Sequence, residues 1–208
     1  MDDRPPKWLD WARELQALGQ TGLHYAHNHY DRRNYARLME IAAEMVEQAT
    51  NLGMQPALER FRIQPGYATV KVDVRAAVVH EGRLLLVRER VDGRWAMPGG
   101  WADVGETPSE MVAREVREES GFIVRPLKLV GAFDANRSGE HLEFYHAYKL
   151  VFLCELLGGE ATASEETSEV GFFAFDALPP LSINRTNERH LTEVQAHLLD
   201  PARPPAFD

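Results

Sequence analysis

Apolar residues recur at helical intervals near the start of the chain, with Trp8, Trp11, Leu15 and Leu18 falling on one side of a helix. A second set, Tyr35, Leu38, Ala42, Met45 and Ala49, repeats that spacing, and Asp31 stands where a cap would stand. The stretch between them, GQTGLHYAHNHY, reads as an aromatic-rich loop. It holds His24, His27 and His29 but lacks the thiols and the paired HxxxH spacing of a zinc site. Gly53, Pro56, Pro65 and Gly66 then mark a linker. Two helices make a thin core, so their apolar stripes call for a covering surface, either a second copy or the rest of the chain. These features predict a helical extension over residues 1–64 and a main domain over 65–208.

Beyond the linker the period changes to two. Val70, Val72 and Val74 alternate with Lys71, Asp73 and Arg75. Ala76–Val79, Glu81-Gly82 and Arg83–Arg90 predict a hairpin with LLLV at its heart. Strand patterns return over Phe122–Asp134, Tyr145–Leu156 and Val170–Phe175. Gly158-Gly159 is expected to break the chain, and the loop SEETSE precedes the last of these strands. Helices are expected over Thr107–Ser120 and Leu191–Leu199. Mixed strands with few, separated helices predict an α+β domain with helices on a mixed or antiparallel sheet.

Composition narrows the setting. The chain has 208 residues, 44% apolar and 26% charged, enough for one cored domain with an extension. A single cysteine, Cys154, permits no internal disulfide and points to a reducing, cytoplasmic compartment. The opening MDDRPPKWLDWARELQ lacks the basic start and apolar run of a signal peptide, and no apolar run matches a membrane span. Lys and Arg number 23 against 32 Asp and Glu, a net charge of -9. That balance disfavours extensive nucleic-acid binding, which depends on neutralising phosphates, but leaves room for one nucleotide in a local basic pocket.

The most informative helix opens at Thr107-Pro108-Ser109-Glu110. Thr107 suits the N-cap, Pro108 the first helical position, and Glu110 completes a capping box. Gly121 suits the residue that ends it. Glu115, Glu118 and Glu119 fall at i, i+3 and i+4 and share one stripe. Val112 and Val116 lie beside that stripe as anchors on the sheet, and Arg114 and Arg117 are expected to point away from its centre. Three clustered carboxylates repel one another, a conflict that a divalent cation would remove, and hard cations such as Mg²⁺ take oxygen ligands. Gly99, Gly100 and Gly105, ahead of the helix, allow backbone to approach a phosphate or a metal closely.

Gly100, five residues, Glu106, seven residues and then REVREESGF reproduce the whole Nudix box without a substitution. The chain therefore resembles the Nudix hydrolase superfamily. The lead-in VDVRAAVVHEGRLLLVRERVDGRWAMPGGWADVGE, together with TGLHY and DRRNY, resembles the CDP-choline and UDP-sugar pyrophosphatase subgroup. The resemblance implies an α/β/α sandwich with a mixed sheet. It implies that Glu115, Glu118 and Glu119 hold Mg²⁺ or Mn²⁺, with the carbonyl of Gly99 or Gly100 as a further ligand. It also implies that Arg114 orients the glutamates, that Glu106 supports the loop, and that the N-terminal helices form a homodimer.

The implied reaction is hydrolysis of a nucleoside diphosphate linked to a second group, by in-line attack of water on one phosphorus. Metal ions would neutralise the diphosphate and lower the pKa of water, and a carboxylate would take the proton. Glu118 is one candidate for that base and Glu166, in the acidic loop, is the preferred one. Arg75, Arg88 and Arg137 are candidate phosphate contacts. Phe133, Tyr145 and Tyr148 are candidate base-stacking aromatics, although strand aromatics more often pack. ADP-ribose-specific relatives often carry a proline well after the box, and this chain has none between Pro126 and Pro179. Competing readings are a hydrolase of RNA ends or damaged nucleoside triphosphates, and a non-catalytic nucleotide sensor. The intact glutamates and the lack of a basic recognition helix argue against the sensor.

Overall fold

A computed structural model describes residues 6–50, 53–62, 66–103, 105–135, 137 and 145–208. The expectations that rest on Pro65 and on the first five residues lie outside these. The chain forms two compact units, Met1–Val70 and Lys71–Asp208.

The first unit holds three helices, α1 (Lys7–Tyr25), α2 (His29–Ala49) and α3 (Met54–Arg62). Helix α1 runs through most of the stretch expected to be a loop. Gly19 and Gly22 are what let it pack: a Cβ on Gly22 would lie 2.2 Å from the Tyr35 ring, and one on Gly19 2.7 Å from Met39. The two glycines serve close helix packing rather than a turn, which shrinks to Ala26-His27-Asn28. Asn28, not Asp31, caps α2, its Oδ1 accepting from the Asp31 N–H at 2.9 Å. Helix α3 replaces part of the expected linker, with Pro56 in the first turn, where a missing N–H costs nothing. The buried face of α1 is Leu9, Ala12, Gly19 and Gln20. Trp11 and Leu18, from the stripe read in the sequence, are 50% and 54% exposed. His24, His27 and His29 are exposed, and no metal-holding group of histidines and carboxylates occurs among the described residues.

The second unit is built on a hairpin shared by two sheets. Strands β1 (Lys71–His80) and β2 (Arg83–Glu89) are joined by Glu81-Gly82, whose φ values of 49° and 73° are those of a tight hairpin turn. They pair only at Val79–Leu84 and His80–Arg83 and then part. In one sheet, β1 runs parallel to β5 (Ala147–Gly159), and β4 (Phe122–Asp134) runs antiparallel to β5. A short β7 (Ala206–Phe207) is added parallel to β4. In the other, β2 lies antiparallel to β3 (Trp95–Ala96) and β6 (Thr167–Ala174). Gly158-Gly159 do not break β5. They continue it opposite Phe122 and Ile123, beside a bulge, with Gly159 at φ 90°.

Helix α4 (Pro108–Ser120) covers one side and α5 (Glu188–Leu199) the other. Met111, Val112 and Val116 bury against Val74, Ala76, Val78 and Leu85. Leu191 and Val194 bury against Ala77, Leu84, Leu86 and Phe133. Each large apolar side chain so buried contributes about 1.5–3 kcal/mol relative to exposure. The two sheets join at the hairpin into one mixed β layer with helices on both faces, the α/β/α arrangement. Among the described residues no helix is long and apolar enough to cross a membrane.

Candidate active site

Helix α4 is fixed at both ends. Thr107 Oγ1 accepts from the Glu110 N–H, and Glu110 Oε2 accepts from the Thr107 N–H at 2.9 Å, closing the capping box. At the other end Gly121 adopts φ 76° and donates to the Arg117 carbonyl. A Cβ there would sit 2.4 Å from the Glu160 carbonyl oxygen, because residues 160–166 pack directly on the helix end. The Thr162 N–H donates to the Ser120 carbonyl at 2.9 Å, and Thr167 Oγ1 donates to the Glu119 carbonyl at 2.8 Å. The acidic loop therefore caps the helix that carries the glutamates.

Glu119 is buried, and its Oε2 accepts from the Gly99 N–H at 2.8 Å. Gly99 is held at φ 145°, and a Cβ on it would collide with the Val74 carbonyl oxygen at 2.0 Å. Gly100 lies flat against Glu115, whose carboxylate atoms would be 3.1–3.2 Å from a Cβ at that position. Burial pushes the Glu119 carboxyl up to about 8; Arg75 and the Gly99 N–H oppose the shift, while Glu89 and Glu115 reinforce it. Burial also raises Glu115, against the pull of Arg114. Glu118 is the exposed member of the stripe, at 59%.

Arg114 does not point away from the stripe. It turns along the helix to meet Glu106 at 2.9 Å, Glu118 at 2.8 Å, Glu115 at 3.1 Å and Asp103 at 3.2 Å. As arranged, Arg114 and the Gly99 N–H divide the three glutamates between them, and no three acidic side chains converge at coordinating distance among the described residues. The donor set nonetheless fits a hard divalent cation. It is all oxygen, and burial first, then neighbouring carboxylates, raise the proton affinity of Glu115 and Glu119, a conflict a cation relieves.

These groups line a cleft of about 660 Å³ that also receives Asp73, Glu89, Trp101, Lys149, Glu165, Glu166 and Arg185. Glu166 sits at the loop's end, its N–H donating to Ser164 Oγ at 3.1 Å. Arg75 lines the floor but is almost wholly buried. Its Nε and Nη2 donate to Asp73 at 2.9 and 2.8 Å, and Nη1 reaches the Met97 carbonyl. Two of the expected phosphate contacts do not reach the cleft. Arg88 donates to the Gly93 carbonyl and pairs with Glu169, because β2 alternation turns it outward. Arg137 is exposed just beyond β4 and does not line the cleft. Phe133 is core, packed against His190, while Tyr145 and Tyr148 lie beside Lys71 and His146. The aromatic that does line the cleft is Trp101, 45% exposed.

Sequence reasoning missed Asp73, Glu89, Trp101, Lys149 and Arg185. Glu89 carried a signal: a carboxylate ending an apolar strand, next to a register shift that re-aims it inward. It is buried, its proton affinity is raised by that burial, and it pairs with Arg185 at 3.2 Å.

Comparison with known proteins agrees with this geometry. Residues 6–61 match the family described as UDP-X-like, N-terminal oligomerisation domain, and residues 70–194 match the NUDIX domain family. The chain is 35% identical over 202 residues to the putative ADP-ribose pyrophosphatase YjhB of Bacillus subtilis, covering 97% of each. It is similar to the crystal structure of a UDP-X diphosphatase, at 32% identity and TM-score 0.63 over 97% of this chain and 98% of that one. It is also similar to an ADP-ribose pyrophosphatase from Streptococcus suis, at 36% identity and TM-score 0.62 over 67% of this chain and all of that one. With its box on a doubly capped helix beside a charged cleft, and with the domain match spanning more than half its length, the chain belongs to the Nudix family.

Proposed function

We propose that the protein is a divalent-metal-dependent pyrophosphohydrolase that cleaves a nucleoside diphosphate linked to a second group, giving a nucleoside monophosphate and the phosphorylated group. The carrying observation is the charge of the cleft: among the described residues, eight carboxylate side chains line it against four cationic ones. A diphosphate does not enter such a site by itself, because like charges in a low-dielectric cleft repel strongly. Glu115, Glu118 and Glu119 would hold Mg²⁺ or Mn²⁺. The Gly100 carbonyl already accepts from the Val74 N–H at 2.9 Å, which favours Gly99 as the backbone ligand. When bound, the cation offsets phosphate charge and makes water more acidic.

The remaining roles follow from the chain's own groups. Arg114 aligns Glu115 and Glu118 through its fork. Glu166 takes the proton of the attacking water, and its loop is held to the end of α4, which fixes its distance from the glutamates. Gly99 orients Glu119. Residues 65–208 carry the reaction, and residues 1–64 associate two copies into a homodimer. The three named relatives favour UDP-X or ADP-ribose as substrate class, and CDP-choline belongs to the same chemistry. A single buried thiol suits a cytoplasmic enzyme.

The test is turnover of CDP-choline, UDP-glucose, ADP-ribose and nucleoside triphosphates with Mg²⁺ or Mn²⁺. One of the first three should be hydrolysed best, and EDTA should abolish turnover until metal is restored. Full activity in chelator would sink the metal assignment, and a preference for triphosphates would sink the substrate class.

A further inference from the structure

Among the described residues, four cationic side chains line the cleft, and three are already committed. Arg75 and Lys149 are 4% and 3% exposed and share Asp73, and Arg114 is ringed by Asp103, Glu106, Glu115 and Glu118. Arg185 differs. Its side chain is 30% exposed, and the guanidinium is held at Nε and Nη1. Nε meets Glu89 at 3.2 Å, and Nη1 donates to Ser182 Oγ at 3.1 Å and lies 3.5 Å from Asp92. Nη2 makes no hydrogen bond to protein among the described residues.

The backbone beneath this side chain is pinned from several directions. The Ser182 N–H donates to the Trp95 carbonyl at 2.8 Å, and the Trp95 N–H donates to the Pro180 carbonyl at 3.0 Å. The Arg185 and Thr186 N–H groups both return to the Ser182 carbonyl at 2.8 Å, and the Met97 N–H donates to Thr186 Oγ1 at 2.8 Å. Asn187 then caps α5. An arginine on a loop this firmly tied, with Nε and Nη1 held and Nη2 left to donate, is arranged before anything binds. Little rotamer entropy remains to be lost when its Nη1–Nη2 end meets an anion.

We propose that Arg185 is the cation that grips the substrate's phosphate oxygens, and that Arg75, Arg88 and Arg137 are not. This rests on the reading of the cleft as a diphosphate site. Glu89 and Asp92 orient the guanidinium, and the Nη1 and Nη2 hydrogens that point away from Nε form the fork that a phosphoryl group fits in two bonds. Arg185 thereby sets affinity for the diphosphate and leaves the chemistry to α4 and the acidic loop.

The experiment compares Arg185→Gln and Arg185→Lys with the unaltered protein at saturating Mg²⁺. UDP-glucose and ADP-ribose serve as substrates, and calorimetry follows binding of methylenediphosphonate, which cannot be cleaved. Loss of a charge-assisted bidentate contact should raise KM about 10- to 100-fold in Arg185→Gln. The expected kcat stays within about threefold, the Mg²⁺ requirement does not change, and Arg185→Lys lies between. Methylenediphosphonate affinity should fall in parallel. Should Arg185→Gln lose melting temperature, Arg185→Lys carries the comparison, since it keeps the charge facing Glu89. Unchanged KM and unchanged diphosphonate affinity overturn the assignment, as does a fall in kcat alone, which would make Arg185 a support for Glu89. An unaltered protein that binds diphosphonate through Arg185 but cleaves neither these substrates nor CDP-choline would overturn the hydrolase reading and leave this one standing.

Discussion

Glu119 holds a position that few other side chains could fill. It is buried at the end of α4, accepts from the Gly99 N–H, and keeps its carboxylate among like charges. Glutamine has the same shape and retains an oxygen for the Gly99 N–H, but it has no charge to offer a cation. Glu119→Gln should therefore melt within a few degrees of the unaltered protein while losing at least ~100-fold in turnover. Near-normal turnover would remove Glu119 from the metal site. The glutamate stripe was legible because helical spacing and a capping box fix which residues share a face. Asp73, Arg75 and Lys149 were not legible in the same way. Charges that alternate with valines look like the wet side of a strand. Here β1 pairs with β5 along one edge and with the 98–102 backbone along the other, so the charges are buried and must neutralise one another. Only the neighbours, brought in from β5, reveal that.

Among the elements, α5 contains an acid-sensitive part. His190 stands at the third position of the helix, and its Nδ1 accepts from the Asn187 N–H in a capping box. It is 1% exposed and packs on Phe133. Burial pushes its pKa down to about 3; Lys149, Arg75 and Arg189 add to the shift and Asp73 opposes it. In the unfolded chain the same imidazole takes a proton near pH 6.5. Below that pH the unfolded state binds a proton that the folded state refuses until about pH 3. Stability is thus fully present above the unfolded value and is lost as pH falls through this window, by up to ~1.4 kcal/mol per pH unit. Between pH 7 and 5 the unaltered protein should lose several degrees more of melting temperature than His190→Gln, which keeps an acceptor for the cap but does not titrate. Parallel curves would show that His190 contributes nothing to acid sensitivity. Both ends of α4 and the extent of β4 were readable locally, from caps and alternation. The true extent of α1 was not, because glycine ordinarily signals a turn, and only the closeness of α2 explains Gly19 and Gly22 as packing residues.

At the scale of the whole molecule, the helical unit leaves Trp11, Leu18, Tyr25 and Tyr67 50–67% exposed. Leu18, Tyr25 and Tyr67 border a groove of about 450 Å³ within that unit. We propose that this run of exposed aromatic and aliphatic side chains receives a second copy, in keeping with the oligomerisation family that residues 6–61 match. Light scattering should give a dimer for the full chain at micromolar concentration and a monomer for residues 65–208. A monomeric full chain would end that reading, and a dimeric truncated one would move the interface into the second unit. The stripe was legible as apolar, but its exposure was not, since periodicity identifies a face without saying what covers it. The bonds from Thr162 and Thr167 to the last carbonyls of α4 have a further consequence. The acidic loop cannot lift without uncapping the helix, and the helix cannot fray without freeing the loop. The two therefore open and close as one cooperative unit, and whatever steadies the glutamates steadies the loop by the same free energy in return.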